Sequence, residues 1–211
     1  MSNLMIQNNL QRYILPHYLE KKFLQSLKKE FSLRKPFPHL SLRDFFNRSP
    51  LRKVAAALRE EEFKEQDTDL YQFLQTKQDI KATTQEHLRQ FYAFLSSKEF
   101  LDYITSLTGI TVASIDMSGF IYRVGDYLLC HDDRLSGRKI AYVVNLSTMN
   151  PRTGGDLALM IHKGAHPDKI VERIYPEFGM LNIFEVSPQS WHQVEEVLDK
   201  ERVTLTGWFH G

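Results

Sequence analysis

Four side chains in the last two-fifths of this sequence have the types and spacing to hold a metal ion and use it. His131 and Asp133 close the run Tyr127-Leu-Leu-Cys-His131-Asp132-Asp133, His192 stands in Pro188-Gln-Ser-Trp-His192-Gln-Val, and Arg202 follows ten residues later. Residues two apart on an extended strand project to the same side, so His131 and Asp133 are expected to approach one ion together. Two imidazoles and one carboxylate on one face of a metal, with the other face open, are the donor set of a non-haem Fe(II) oxygenase. A guanidinium beside such a site can pair bidentately with the far carboxylate of a keto-acid that chelates the iron. Thr204 shares the strand face of Arg202.

Other residues compete for these roles. The pattern His-x-Asp occurs twice, so by itself it carries little weight. In His166-Pro167-Asp168 the central proline removes a ladder donor, and His162-Lys-Gly164 just before it signals a turn; both residues are read as loop positions. His210 rivals His192, but no arginine follows it before residue 211. Cys130 is soft enough to bind metal, yet strand alternation turns it away from His131 and assigns it to packing. Ser190 and His192 lack the glycine-flanked turn of a hydrolase nucleophile.

The bulk composition narrows the setting. With 211 residues, 42% hydrophobic and 12% aromatic, the chain suffices for one well-filled domain with helical additions. Its 27 Lys and Arg nearly balance 26 Asp and Glu, so no general attraction to nucleic acid or anionic lipid is expected. One cysteine excludes an intramolecular disulfide, and Met1-Ser-Asn-Leu-Met-Ile-Gln lacks a secretory layout. No apolar run approaches the ~20 residues that span a bilayer. A cytoplasmic protein with no membrane and no direct nucleic-acid partner is the expectation.

The elements that must position these residues fall into two textures. Leu19, Phe23, Leu24, Leu27 and Phe31 form a helical stripe, with Lys21, Lys22, Lys28 and Lys29 largely outside it. Lys35-Pro-Phe-Pro-His39 reads as a connection, and Ser49-Pro50 as an N-cap and first helical residue. Asp69 to Leu74 is a short amphipathic piece. Thr83-Thr-Gln-Glu86 and Ser96-Ser-Lys-Glu99 have capping-box spacing, the second helix ending at Gly109. After Gly109, β-branched and aromatic runs separated by turn residues predict about eight short strands. These lie near 119–122, 127–133, 139–146, 156–162, 169–175, 181–186, 192–197 and 203–209. The fold class is therefore α+β, a jelly-roll or cupin-like double-stranded β-helix with N-terminal supporting helices. Residues 1–211 are expected to form a single domain, 1–110 mainly helical support and 111–211 the jelly-roll core.

Several longer stretches carry a resemblance. Gly125-Asp126-Tyr-Leu-Leu-Cys-His131-Asp-Asp133, Gly154-Gly155-Asp-Leu157, Phe184-Glu-Val-Ser-Pro188-Gln-Ser-Trp-His192-Gln-Val and Gly207-Trp-Phe-His-Gly211 are similar to the 2-oxoglutarate and Fe(II)-dependent prolyl hydroxylases. The nearest likeness is to the branch that hydroxylates a proline of a small-subunit ribosomal protein. It extends back to Asp69-Leu-Tyr-Gln-Phe73, and eukaryotic members continue into a second, non-catalytic barrel. The resemblance implies His131, Asp133 and His192 as iron ligands and Arg202 as the anchor of the 2-oxoglutarate distal carboxylate. Tyr122 matches a tyrosine lining the cosubstrate pocket, and Thr204 would add a donor. Asn145 stands where the branch commonly has a tyrosine that touches the cosubstrate; Tyr142 faces the other side of the strand. The implied cofactors are Fe(II) and 2-oxoglutarate, with O2 as co-reactant and ascorbate as an auxiliary reductant. The implied partner is a protein with a target proline, ribosomal or a translation factor. A binding module with a structural metal, or a dioxygenase for another protein or a small molecule, are the competing readings.

Overall fold

The computed structural model describes residues 10–164 and 166–211. Among the described residues a helical stretch over 10–13 precedes the helices α1 (Lys21–Leu33), α2 (Arg48–Arg59), α3 (Glu86–Leu95) and α4 (Lys98–Thr108). The first half also holds β1 (His39–Leu42), β2 (Phe63–Thr68) and β3 (Tyr71–Thr76). Then come β4 (Ser114–Ile115), β5 (Ser118–Tyr122), β6 (Tyr127–His131), β7 (Arg138–Asn145), β8 (Leu157–Lys163) and β9 (His166–Ile174). The chain ends with β10 (Leu181–Glu185), β11 (His192–Val194) and β12 (Arg202–His210).

The strands pair antiparallel in the order β1-β10-β7-β12-β5-β3-β6-β11-β8-β9, with β2 added to β3 and β4 to β12. Strand β3 pairs with β5 through Leu74 and with β6 through Tyr71, and so joins the two halves. The sheet curls into a nearly closed jelly-roll barrel, a double-stranded β-helix, with the helices packed on it.

Period-two alternation decides which side chains meet the helices and which meet the interior. Along β7, Ile140, Tyr142 and Val144 join Leu181 and Ile183 of β10 and Val203, Leu205 and Phe209 of β12 in one core with Leu27, Phe31, Leu51, Leu58, Phe91 and Ile104 of the helices. The intervening Ala141, Val143, Phe184, Thr206 and Trp208 line the barrel cavity. The helix layer thus stiffens the outer face of the strands whose inner face carries the site.

The structure departs from the expected elements where sequence signals compete. The stretch read as a short amphipathic piece is β3 of a hairpin; its partner β2 is mostly polar, Lys64 to Asp67, and shows no apolar alternation. Helix α4 is capped by Ser97, whose Oγ accepts from the Phe100 N–H at 3.3 Å, one residue later than the expected box. Helix α3 begins at Glu86 because Thr83 is engaged elsewhere, donating to Glu61 and accepting from the Gln85 N–H. Helix α2 starts at Arg48, which puts Ser49 and Pro50 inside its first turn. His166 and Asp168 belong to β9 and not to a loop, with His166 opposite Lys163. Gly109 does end α4 in the left-handed conformation.

Candidate functional site

Strands β6 and β11 bring the two histidines together, since His131 and His192 are direct cross-strand partners. The register slips just beyond them: Val194 pairs with Leu128, so the single residue 193 of β11 opposes two, 129 and 130, of β6. Such a bulge re-aims side chains locally. It lets both Leu128 and His131 face the cavity although they are an odd number of residues apart.

Asp133 arrives by a different route from the one its spacing suggested. Strand β6 ends at His131, and Asp133 has φ +61°, a left-handed backbone that aspartate tolerates better than most residues. Its carboxylate oxygens lie 3.3 Å from His131 Nε2 and 3.4 Å from His192 Nε2. All three ligand atoms fall within 4.8 Å of one another, the one such His/Cys/Asp/Glu group among the described residues. His166, Asp168, His210 and Cys130 lie outside it; His210 faces Asp116 at 2.9 Å, and Cys130 is a half-buried free thiol.

Both imidazoles are held in the tautomer a metal requires. His131 Nδ1 is 2.8 Å from the Leu129 carbonyl and His192 Nδ1 is 2.7 Å from the Ser190 carbonyl. A carbonyl only accepts, so a proton sits on Nδ1 and Nε2 is the nitrogen turned toward Asp133, where a metal would take the place of its proton. Ser190 does more: its buried Oγ lies 2.9 Å from the Asp132 carbonyl, tying the β11 approach to the Asp133 turn. It is a positioning residue, not a nucleophile. Burial opposes charge on the pair, but the attraction between them wins: Asp133 is held below the usual carboxylate range, largely by His192, and His131 is raised by Asp133.

The triad opens into a cavity of about 520 Å³. Arg202 lies in its wall, 2% exposed, with its guanidinium 5.0 Å from the centre of the Tyr122 ring. It makes no ion pair among the described residues, and its Nε has no hydrogen-bond partner. Burial lowers its affinity for the proton and pushes the Tyr122 phenol up to about 12. A buried cation without a counter-ion is costly, so the wall is built for an anion that comes from outside. At the other side Arg138 stacks over Trp208, 3.2 Å from the ring centre, and its Nη1 donates to the Asp133 carbonyl at 3.3 Å.

Thr204 and Asn145 are cross-strand partners on the same inner face as Arg202, fully buried and deeper than the residues that line the cavity. Asn145 donates to the Met180 carbonyl at 3.1 Å while its Oδ1 has no partner. Thr206, two residues beyond Thr204 and 3.2 Å from its hydroxyl, lines the cavity itself. Continuing the alternation from Arg202 would have found it. Tyr142 faces the helices as expected, donating to the Asp116 carbonyl at 2.7 Å.

Residues 117–210, spanning most of the barrel, match the 2OG-Fe(II) oxygenase superfamily. The matched stretch holds His131, Asp133, His192 and Arg202. The cofactors of that superfamily are Fe(II) and 2-oxoglutarate, and the donor set here fits both: two Nε2 nitrogens and a carboxylate for the metal, a buried guanidinium for the acid. The chain is 35% identical over 182 residues to prolyl 3-hydroxylase OGFOD1 of Xenopus laevis, covering 83% of this chain and 35% of that one. It is 32% identical to prolyl 3,4-dihydroxylase OGFOD1 of Ostreococcus tauri, covering 83% and 38%. It thus spans just over a third of the length of these curated relatives. In fold it resembles a Pseudomonas putida prolyl-4-hydroxylase, with TM-score 0.70, 22% identity and coverage of 89% and 98%. A Trichoplax adhaerens prolyl hydroxylase in complex with a hypoxia-inducible-factor peptide fragment superposes with TM-score 0.71, 14% identity and coverage of 100% and 94%. No helix among the described residues is long and apolar enough to cross a membrane.

Proposed function

We propose that this chain works as a single 2-oxoglutarate- and Fe(II)-dependent dioxygenase domain that hydroxylates a prolyl residue of a cytoplasmic protein, ribosomal or otherwise part of translation. The observation that carries the reading is the pairing of two features in one cavity: the His131, Asp133 and His192 cluster, and the buried Arg202 without a counter-ion. The likeness to proteins named prolyl hydroxylases supports the substrate class. The sequence motifs around His131 and His192 support the ribosomal branch.

In this reading His131, Asp133 and His192 hold the iron. When bound, iron and 2-oxoglutarate supply the oxidation, in which dioxygen is consumed, the cosubstrate leaves as succinate and carbon dioxide, and a prolyl C–H becomes C–OH. Arg202 fixes the distal carboxylate through charge-assisted hydrogen bonds, with Tyr122 covering one side and Thr206 adding a hydroxyl. Thr204 and Asn145, deeper on the same inner face, add a hydroxyl and an amide beside it. Apolar Phe73, Leu128, Val194 and Leu157 keep water from the bound acid and strengthen its pairing with Arg202. Arg138 and Trp208 flank the triad and present a flat face to the substrate.

The test is product analysis on intact ribosomes and on whole lysate, each incubated with enzyme, Fe(II) and 2-oxoglutarate. The expected result is one added oxygen on a proline of a ribosomal or translation-factor peptide, lost with Asp133→Ala. Succinate formation with oxidation confined to small molecules would overturn the protein-substrate reading.

A further inference from the structure

Strand β12 changes partner part-way along its length. From Arg202 to Thr206 it pairs with β5, and at Phe209 and His210 with β4. Both ladders keep one register, which sets Asp116, in the gap between β4 and β5, opposite Trp208. In a regular antiparallel ladder two facing residues exchange both N–H to carbonyl bonds. Only one of the two is made here: the Asp116 N–H donates to the Trp208 carbonyl at 3.2 Å. The Asp116 carbonyl is turned aside, accepting from the Tyr142 hydroxyl at 2.7 Å and lying against Gly207, where a Cβ would collide with it. The carboxylate stands in for it. Its Oδ1 accepts from the Trp208 N–H at 2.9 Å, and its Oδ2 lies 2.9 Å from His210 Nε2.

Both backbone polar groups of Trp208 are therefore spent on Asp116. The indole Nε1 has no hydrogen-bond partner among the described residues, so the polar tip of the ring does not fix its orientation. What holds the ring is its clamped peptide and the Arg138 guanidinium stacked on it, whose Nη1 reaches the Asp133 carbonyl. Burial lowers the affinity of Arg138 for its proton, and the carboxylates of Asp133 and Asp116 oppose this. Asp116 thus stands at the far end of a continuous line of contacts that runs through Trp208 and Arg138 to a metal-ligating residue. The main chain alone would complete the ladder if the Asp116 carbonyl faced Trp208. A carboxylate makes a stronger, charge-assisted bond and ties residues 208 and 210 to one point, where the register of β12 against β7 shifts.

We infer that Asp116 is a positioning residue of this site: its carboxylate fixes the Trp208 peptide, and through it the Trp208–Arg138 face beside the triad. That this face receives a prolyl segment rests on the function proposed above. Asp116 itself touches neither the metal ligands nor the cavity.

The experiment uses the full chain labelled with fluorotryptophan, whose two fluorine NMR resonances are assigned with Trp191→Phe. Asp116→Ala is expected to shift or broaden the Trp208 resonance and to leave that of Trp191 in place. Asp116→Asn is expected to restore it, because the amide oxygen accepts the same N–H and the amide nitrogen donates toward His210 Nε2. With the prolyl peptide found by product analysis, Asp116→Ala should raise KM about 2- to 5-fold, the range of one exposed cation–π contact, with 2-oxoglutarate affinity unchanged. In the double variant with Trp208→Ala, KM should equal that of Trp208→Ala alone, since a residue that acts through the ring then has nothing to position. If Asp116→Ala does not fold, Asp116→Glu, which keeps the charge and lengthens the arm by one methylene, takes its place. A Trp208 resonance unmoved in the folded variant, or increases in KM that multiply in the double variant, would overturn the inference. A moved Trp208 resonance without turnover of any prolyl peptide would overturn the proposed substrate and leave the positioning of Trp208 by Asp116 standing.

Discussion

Replacing Arg202 by Met should stabilise the free protein and weaken its binding of 2-oxoglutarate. In the free protein the guanidinium is buried to 2%, has no acidic partner among the described residues and leaves its Nε unbonded. An unsatisfied buried polar group costs about 1–3 kcal/mol, and exchanging a buried charge for an apolar side chain of similar length stabilises by about 1–4 kcal/mol. Methionine keeps the unbranched stem that packs near Gly155, where a Cβ would stand 3.3 Å from Arg202 Cδ. At this chain length 1 kcal/mol moves Tm by about 2–4 °C, so the free variant should melt about 2–16 °C higher than wild type. Metal and 2-oxoglutarate act the other way. Removing one partner of a buried charged pair costs about 2–5 kcal/mol, a loss of about 30-fold to several thousand-fold in cosubstrate affinity. At a cosubstrate concentration of about 100 times the wild-type Kd, wild type gains about 2.7 kcal/mol and the variant at most about 0.9 kcal/mol. Thermal unfolding with a redox-inert divalent metal, with and without 2-oxoglutarate, reads both effects. A variant that melts lower when free yet keeps the full cosubstrate shift would refute the reasoning, because Arg202 would then be structural.

Further outcomes follow from the same geometry. The stability that free His131 and Asp133 lend each other should be greatest between about pH 4 and 6.5: the raised His131 contributes below its unfolded value and loses this as pH climbs through the folded one, while the lowered Asp133 contributes above its own and loses this in acid. Metal binding needs neutral imidazoles, so the metal-induced rise in Tm should grow from about pH 5.5 to 8, and a flat profile would count against these ligands. Gly207→Ala drives a Cβ to 2.1 Å from the Asp116 carbonyl oxygen, so a loss of about 3 kcal/mol is expected in denaturant titration. Trp208→Ala should raise KM for a prolyl peptide while leaving 2-oxoglutarate binding within about threefold of wild type, the ring being worth about 0.5–1 kcal/mol to Arg138 when exposed; steady-state kinetics and a binding titration separate the two.

What could be read from the sequence, and what could not, has a physical pattern. His131 was legible because it closes the apolar run of β6 and Arg202 because it opens the apolar β12, while His192 stood at the start of the short β11. Asp133 was found for an incomplete reason: alternation put it beside His131, whereas a left-handed turn after the strand does so. The bulge at Leu128 to His131 has no sequence signature that alternation can express. The β2–β3 hairpin was missed because one of its strands lies at the sheet edge and is almost wholly polar. Thr206 was overlooked although it continues the alternation of Arg202 and Thr204, since spacing gives a face but not a depth.

The most direct test of the central claim is anaerobic spectroscopy. Purified protein is mixed with Fe(II) and 2-oxoglutarate, and the visible metal-to-ligand charge-transfer band is recorded for wild type, Asp133→Ala, Asp168→Ala and Arg202→Ala. The band should be present in wild type and Asp168→Ala, absent in Asp133→Ala, and recovered in Arg202→Ala only at much higher cosubstrate. A folded wild type that shows no band at saturating 2-oxoglutarate, or an Asp133→Ala protein that keeps it, would contradict the assignment of this cavity as an Fe(II) and 2-oxoglutarate site.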